Sequence, residues 1–312
     1  MKEIFQKRFD RLKNLTNDGS GLKNIVWEYA LDIKDFHRLQ QTTKEFIKDC
    51  VFEYHDHGKA LEDCFTAESF FIDNESIIKT LPNITPNGLV MPKKEVLCSY
   101  NKILRAASKI VQSMGLHETC SKIHFPVNVR IRWANVSKQT LNRPYSSTKW
   151  HSDIWAGESA RNVMVHIPIF GDFENNGVSV AKTPEEFYPN YVKPLNDFNE
   201  GKEITKTLQP INFRMMTTHA YLLDSFAMHK TNHAGDNGIR GILSFPVVPK
   251  QKLPSDIYSN KVRDEDNYLS SNHWIKFGEE LFLTSEEKLE PYVGGDVTKT
   301  SYAGKFGVAE CR

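Results

Sequence analysis

Cysteine is sparse and scattered in this 312-residue sequence: Cys50, Cys64, Cys98, Cys120 and Cys311, an odd number with no C-x-x-C pair. That argues against a disulfide framework or a zinc ribbon and fits a reducing cytosol. Long apolar runs are missing as well. None approaches the roughly 20 residues needed to span a bilayer. The start, Met1-Lys2-Glu3-Ile4-Phe5-Gln6-Lys7, is charged and lacks the apolar core of a signal peptide, so a cytoplasmic protein is expected. Neither sign of charge is in excess. A formal net charge of +1 gives no electrostatic reason to expect nucleic acid or an anionic membrane as a partner. There is no His-Glu-x-x-His, which disfavours a zinc hydrolase of that type, and there are no internal repeats or low-complexity segments. The remaining composition, 39% hydrophobic and 25% charged, is that of a soluble globular chain of one large domain or two small ones.

The first third reads as helical. Phe5, Phe9 and Leu12 recur at helical steps within 3–15. A longer helix is predicted over about 34–57. Phe36, Leu39, Phe46, Ile47, Cys50, Val51 and Tyr54 form its stripe, and Gly58 comes next as a stop. Another covers about 94–114, faced by Leu97, Ile103, Leu104, Ala107, Ile110, Val111 and Met114 and ended by Gly115. The breakers Pro82, Pro86 and Gly88 make 80–88 a loop. His55-Asp56-His57 reads as a polar helix end rather than a metal site, since residues two apart do not share a helix face.

The period then changes to two. Alternation in 127–133 and at Val163, Val165, Ile167 and Ile169 marks strands; 177–181, 220–223, 225–228 and 239–248 are further runs. No helical crossover of the kind a parallel sheet needs lies between them. The fold class expected is mainly β with flanking helices: a helical part over 1–124, an antiparallel jelly-roll core over 125–250, and an extension over 251–312. One insertion, 182–210, carries Pro184, Pro189 and Pro194 with Phe187, Tyr188, Tyr191 and Phe198. It is either a lid over a site or an excursion anchored by its aromatics. In the tail a helix is expected over 276–288, with Phe277, Leu281 and Phe282 on one face. The end, 302–307, reads as an arm packing on the domain or on a second subunit, so a homo-oligomer stays open.

The chemistry centres on Trp150-His151-Ser152-Asp153, the one His-x-Asp of the chain. On a strand, residues two apart point to one face, so both side chains can reach one metal. The third ligand has four candidates: His166, His219, His229 and His233. His229 is preferred for its downstream neighbours. Thr231 lies two residues on, and Arg240 eleven residues on at the start of an apolar strand. His233 sits in a turn-rich loop nearer Arg240. Two histidines and a carboxylate can hold one face of a ferrous ion and leave the other open. An arginine deep in a barrel needs a counter-anion, and the distal carboxylate of 2-oxoglutarate would supply one to a planar guanidinium fork.

This pattern resembles the Fe(II)/2-oxoglutarate-dependent oxygenases, most closely their phytanoyl-CoA dioxygenase-like branch. Glu174-Asn175-Asn176-Gly177 is similar to that branch's Asn-Gly turn. The stretches 150–171 and 224–248 also resemble the 2-oxoglutarate oxygenases of bacterial carbohydrate-biosynthesis gene clusters. The resemblance covers about 125–250. It implies a double-stranded β-helix (a cupin-like jelly roll), iron ligation by His151, Asp153 and His229, and a cosubstrate carboxylate salt-bridged by Arg240 and hydrogen-bonded by Thr231. It implies Fe(II), 2-oxoglutarate and O2 as cofactor and cosubstrates, with release of succinate and CO2. Relatives that halogenate have a small residue where Asp153 stands, so Asp153 implies hydroxylation or a related oxidation. The branch's Pro-Gly-Ser-His run is absent; Val178-Ser179-Val180-Ala181-Lys182 stands there instead, which argues against acyl-CoA substrates.

The substrate expected is a small polar metabolite, a carbohydrate or derivative. Arg132, Trp155 and Tyr188 are the candidate substrate residues. Arg132 shares a strand face with Arg130, and the bland alternative is pairing with acidic neighbours. Trp155 and Arg161 line the pocket mouth or simply pack. His166 is expected as a satisfied polar residue pointing into the barrel, His219 as structural, and Asp224 as support behind the ligands. Two other functional classes fit the same residues: a cupin-like metalloenzyme (isomerase or dioxygenase) acting without 2-oxoglutarate, and a non-catalytic barrel that binds a small molecule or a protein.

Overall fold

The computed structural model describes residues 2–55, 61, 66–134, 141–184, 186, 188–232, 238–258, 267–284 and 307–310. Its centre is the strand β9 (Ile239–Pro249), buried along its whole length. A strand hidden on both faces has neighbours on both edges. On one side it pairs with β5 (Val163–Gly171); on the other its first half pairs with β4 (Asn128–Trp133) and its end with β3 (Cys120–His124). The sheet continues from β5 through β7 (His219–Asp224) to β2 (Val26–Ala30) and β1 (Ser20–Leu22), and from β3 to β10 (Tyr268–Ser270). Every pairing is antiparallel. The mainly β fold with flanking helices therefore holds, but the sheet is not confined to 125–250. It recruits β1, β2 and β3 from the first third and β10 from the tail.

The two faces of this sheet have different neighbours. Val129 and Ile131 of β4, Leu243 and Phe245 of β9 and Val165 and Ile167 of β5 point outward. They join one apolar cluster with the helix α2 (Ile33–Tyr54) and the helix Leu97–Ser113. Phe36, Leu39, Phe46, Ile47, Cys50 and Val51 are the buried stripe of α2, as its periodicity requires. Its start is capped by Asp32, whose carboxylate accepts from the backbone of Lys34 and Asp35. The Leu97–Ser113 helix runs out into Gly115 at φ 76, a backbone that a β-carbon disfavours. The opposite, inner face carries Arg130, Arg132, His166, Arg240, Ile242 and Ser244. Facing it is a small second sheet of β6 (Val178–Val180) and β8 (His229–Thr231). It is widened by isolated pairings of His151 with His229 and Ala181 with Pro210. A large and a small antiparallel layer with helices outside the large one make a jelly roll with a polar interior.

Two expectations change, and a third, left open, gains detail. Residues 225–228 form a turn, not a strand, because Asp224 and Ser225 take up the local hydrogen bonds. The helix expected over 276–288 is instead a helix at Ser271–Lys276 with a strand after it at Leu281–Thr284. Leu281 and Phe282 suit strand pairing with Gly307–Glu310. Third, two aromatics of 182–210 point inward. Tyr191 and Phe198 are buried in a second apolar cluster with Trp155, Phe226 and Met228, so the insertion is anchored by them; Phe187 lies outside the described residues. Cys50, Cys98 and Cys120 are unpaired, while Cys64 and Cys311 lie outside the described residues. Among the described residues no helix is long and apolar enough to cross a membrane.

His124, at the end of β3, is buried and bonded through Nδ1 to the Pro126 carbonyl. Burial lowers its pKa to about 4. Above about pH 6.5 the imidazole is neutral folded or unfolded. Between 6.5 and 4 only the unfolded chain takes up the proton, so stability falls as pH falls and the loss is complete below about 4. At pH 5 this amounts to about 2 kcal/mol. In urea unfolding, the stability difference between wild type and His124→Gln should shift by that amount from pH 7 to pH 5. A difference independent of pH would mean the ring is protonated in the fold.

Candidate metal centre and anion site

Two backbone hydrogen bonds bring the histidines together. His151 N donates to His229 O at 3.0 Å and His229 N to His151 O at 2.8 Å, so the two side chains stand side by side with ring centroids 4.4 Å apart. Each ring is fixed by its own strand. His151 Nδ1 lies 2.8 Å from the Lys149 carbonyl and His229 Nδ1 lies 3.0 Å from the Ala227 carbonyl. A carbonyl only accepts, so both Nδ1 atoms carry a proton, and in the neutral ring that leaves Nε2 with its lone pair. Phe198 lies flat on His151, with centroids 4.4 Å apart and planes 13° apart. Burial, then the neighbouring His229, holds the His151 pKa well below its usual value. A neutral ring with a free Nε2 is the ligand form of histidine.

Asp153 completes the cluster, though not by strand alternation. It opens a short 3-10 turn, Asp153–Ala156, that swings the carboxylate toward the rings. Its Oδ1 is 3.8 Å from His229 Nε2, and one donor atom from each of His151, Asp153 and His229 lies within 4.8 Å of the others. Donor atoms of these types at such separations suit one divalent cation held between them. No hydrogen-bond donor reaches the Asp153 carboxylate among the described residues, and burial pushes its pKa up. Such a carboxylate calls for a cation.

Arg240 calls for an anion. It is 3% exposed. Its Nη2 reaches Thr231 Oγ1 at 3.5 Å, and its Nε has no partner among the described residues. Burial, then Arg132 and Arg130, lowers its pKa to about 9, which leaves it charged at neutral pH. Thr231 is two residues beyond His229 on β8, hence on the same face of the strand.

The other sequence candidates divide. Arg132 stands opposite Arg240 in the β4–β9 register. It has no acidic partner among the described residues; its contacts are Ser147 Oγ at 2.9 Å and the Pro86 carbonyl at 3.4 Å. Trp155 is not at a pocket mouth. It is fully buried, donates Nε1–H to the Tyr191 carbonyl and packs in the second apolar cluster; its large apolar ring decides that place. Tyr188 packs against the same cluster and its hydroxyl reaches Glu186, so a substrate role for either has no geometric basis. His166 shares the inner face with Arg240, but among the described residues it is not satisfied: its Nε2 is buried without a partner. Burial, then His229, Arg240 and Arg130, lowers its pKa to about 3. His219 faces Glu28 at 3.4 Å. Asp224 bonds Arg8 and Arg11, away from the rings. His55 bonds Thr80; Asp56, His57 and His233 lie outside the described residues.

Sequence reasoning missed Ser147, Phe198 as a cover for His151, and Asn176. Asn176 is fully buried and donates to the Arg132 carbonyl at 3.1 Å. The hydroxyl-rich run Ser146-Ser147-Thr148 just before Trp150 was the one available signal for the first.

No protein-family model matches the chain, and no curated protein matches it. Among solved structures it is similar to the non-heme alpha ketoglutarate dependent carbocyclase SnoK from nogalamycin biosynthesis (9% identity, TM-score 0.41, 78% of this chain and 83% of that one). It is similar to AviO1 from Streptomyces viridochromogenes Tue57 (11%, TM-score 0.38, 80% and 98%). It is also similar to EctD from S. alaskensis, solved with 2-oxoglutarate and 5-hydroxyectoine (12%, TM-score 0.32, 74% and 77%). Likeness at this level speaks to neither reaction nor substrate, for which only the residues of the site carry weight.

Proposed function

We propose that this chain is a non-haem Fe(II)- and 2-oxoglutarate-dependent oxygenase that hydroxylates a small polar metabolite. One observation carries the reading. A buried arginine with no carboxylate partner among the described residues stands one hydroxyl away from a strand that also bears a member of a His-Asp-His cluster. The cluster suits a divalent cation, and the arginine suits the far carboxylate of a short diacid bound to it. Iron held there, with 2-oxoglutarate and O2, supplies the oxidising chemistry that yields succinate and CO2.

The chain's own residues do the positioning. His151 and His229 present Nε2 because backbone carbonyls hold Nδ1–H. Asp153 contributes the negative charge. Phe198 and the cluster behind it keep water from the His151 side. Arg240 and Thr231 orient the cosubstrate. A polar substrate is favoured by the inner wall beyond the cluster, where Asn128, His166 and Ser244 stand across adjacent strands. A carbohydrate or derivative fits such a wall better than an acyl chain does.

The test is anaerobic titration of the metal-free protein with ferrous ion and then 2-oxoglutarate, monitored by the weak visible charge-transfer band of the chelate. The band should develop only with both present. Arg240→Ala should weaken 2-oxoglutarate by about 2 kcal/mol or more, roughly thirtyfold, the cost of truncating one partner of a buried charge pair. Iron binding without a band would remove the cosubstrate and leave a metalloenzyme of another kind. Turnover confined to lipid thioesters or peptides would remove the polar-metabolite claim.

A further inference from the structure

Two buried arginines face each other where one would serve. Arg132 and Arg240 are cross-strand partners in the β4–β9 register, 5% and 3% exposed. Side chains directly opposite on an antiparallel pair have β-carbons about 5 Å apart, and like charges there repel. Nothing among the described residues relieves this. Among the described residues neither guanidinium has a carboxylate partner. The charged groups that bear on them are other arginines: Arg130 on both, Arg143 on Arg132, and Arg132 on Arg240.

Between the two guanidiniums lies a pair of hydroxyls. Arg132 Nη2 donates to Ser147 Oγ at 2.9 Å, Thr231 Oγ1 donates to Ser147 Oγ at 3.4 Å, and Arg240 Nη2 donates to Thr231 Oγ1 at 3.5 Å. The arrangement is built rather than incidental. Thr231 N donates to Ser147 O at 2.7 Å, which ties the Ser147 segment to β8. Asn176 holds the Arg132 carbonyl. Gly88, at φ +77, lets its loop close over the Arg132 stem, where a β-carbon would stand 2.8 Å from Cδ.

We propose that Arg132 and Arg240 together clamp one carboxylate, the distal carboxylate of the cosubstrate, with Ser147 and Thr231 as hydroxyl partners. Arg132 is then a cosubstrate residue, not a substrate residue. This rests on the 2-oxoglutarate reading of the site. Two forks offer more donors than one carboxylate needs, and the anion relieves their mutual repulsion. The cluster therefore selects a diacid over a neutral-ended oxo acid more strongly than a single arginine can.

The experiment compares two probes on the ferrous protein without oxygen: 2-oxoglutarate, and 2-oxopentanoate, which ends in a methyl group instead of a carboxylate. Wild type should prefer 2-oxoglutarate by at least a hundredfold. Arg132→Ala and Arg240→Ala should each lower 2-oxoglutarate affinity tenfold or more while leaving 2-oxopentanoate within about threefold. Arg132→Lys, which keeps charge and stem but not the fork, and Ser147→Ala should fall between. The thermal midpoint of Arg132→Ala without ligand should not fall, and the rise produced by 2-oxoglutarate should shrink. If Arg132→Ala and Arg132→Lys bind 2-oxoglutarate as wild type does while Arg240→Ala does not, the clamp is wrong and the cosubstrate reading stands. If wild type binds neither oxo acid, or binds both alike, the cosubstrate reading itself fails.

Discussion

Asp153→Ala is expected to cost at least a hundredfold in ferrous-ion affinity while the metal-free protein stays as stable as wild type or gains stability. The two halves have one cause. The Asp153 carboxylate is 17% exposed, receives no hydrogen bond among the described residues, and has His229 Nε2 3.8 Å away as a charge partner only if that ring is protonated. Burial pushes its pKa up, and the charges of His229 and Arg130 offset the lost hydration only in part. A carboxylate kept for structure is treated differently in this fold: Asp224 and Asp256 are each held by two arginines. Removing Asp153 therefore relieves a penalty in the empty protein. It also removes the one anion of the ligand set, and loss of a direct ligand exceeds the ten- to hundredfold that changes behind the ligands cost. Anaerobic calorimetry with ferrous ion, alongside urea unfolding of the metal-free protein, reads both quantities. Retained metal binding with a stability loss of several kcal/mol would make Asp153 a structural residue.

Much of the candidate site could be read from spacing alone, because its parts lie on short local patterns. His151 and Asp153 are two apart, Thr231 is two beyond His229, and Arg240 begins the most apolar strand of the chain. What spacing could not give is which elements cross. Arg132 and Arg240 are 108 positions apart, and only the β4–β9 register sets them opposite. His166 was expected to be satisfied; its unpartnered Nε2 depends on what faces β5 across the interior, which alternation does not reveal. Trp155 was expected near the site because it comes just after the motif in sequence, but the turn at Asp153–Ala156 sends its ring back into the second cluster. Strands β1, β2 and β10 were invisible for a different reason. They are three to five residues long, and β1 and β2 have mixed burial. Too few residues were present to establish a period. The helices of the first third were long enough to do so.

Asp224→Ala should destabilise the protein by about 3–5 kcal/mol, the usual cost of breaking a buried ion pair from one side. Arg8 and Arg11 of the helix α1 (Lys2–Lys13) are 1% and 0% exposed in their side chains. Arg8 Nε is 2.6 Å from Asp224 Oδ1 and Arg11 Nη2 is 3.3 Å from Asp224 Oδ2, while Arg11 Nη1 lies 3.0 Å from Asp256. Two guanidiniums and two carboxylates balance in charge; removal of one carboxylate leaves a buried excess of one positive charge. The loss reaches the proposed metal site through the backbone. Asp224 Oδ1 also accepts from Phe226 N at 3.0 Å, and Ser225 O accepts from Ile154 N at 3.4 Å. The turn leading to His229 and the turn bearing Asp153 therefore hang on the same carboxylate. Charge imbalance, rather than lost contact, predicts the sign of the second variant. Arg11→Met combined with Asp224→Asn restores the balance and should be more stable in urea than Asp224→Asn alone. A double variant that loses the sum of the two single losses would show that the four groups contribute by separate contacts and not as a neutralised set.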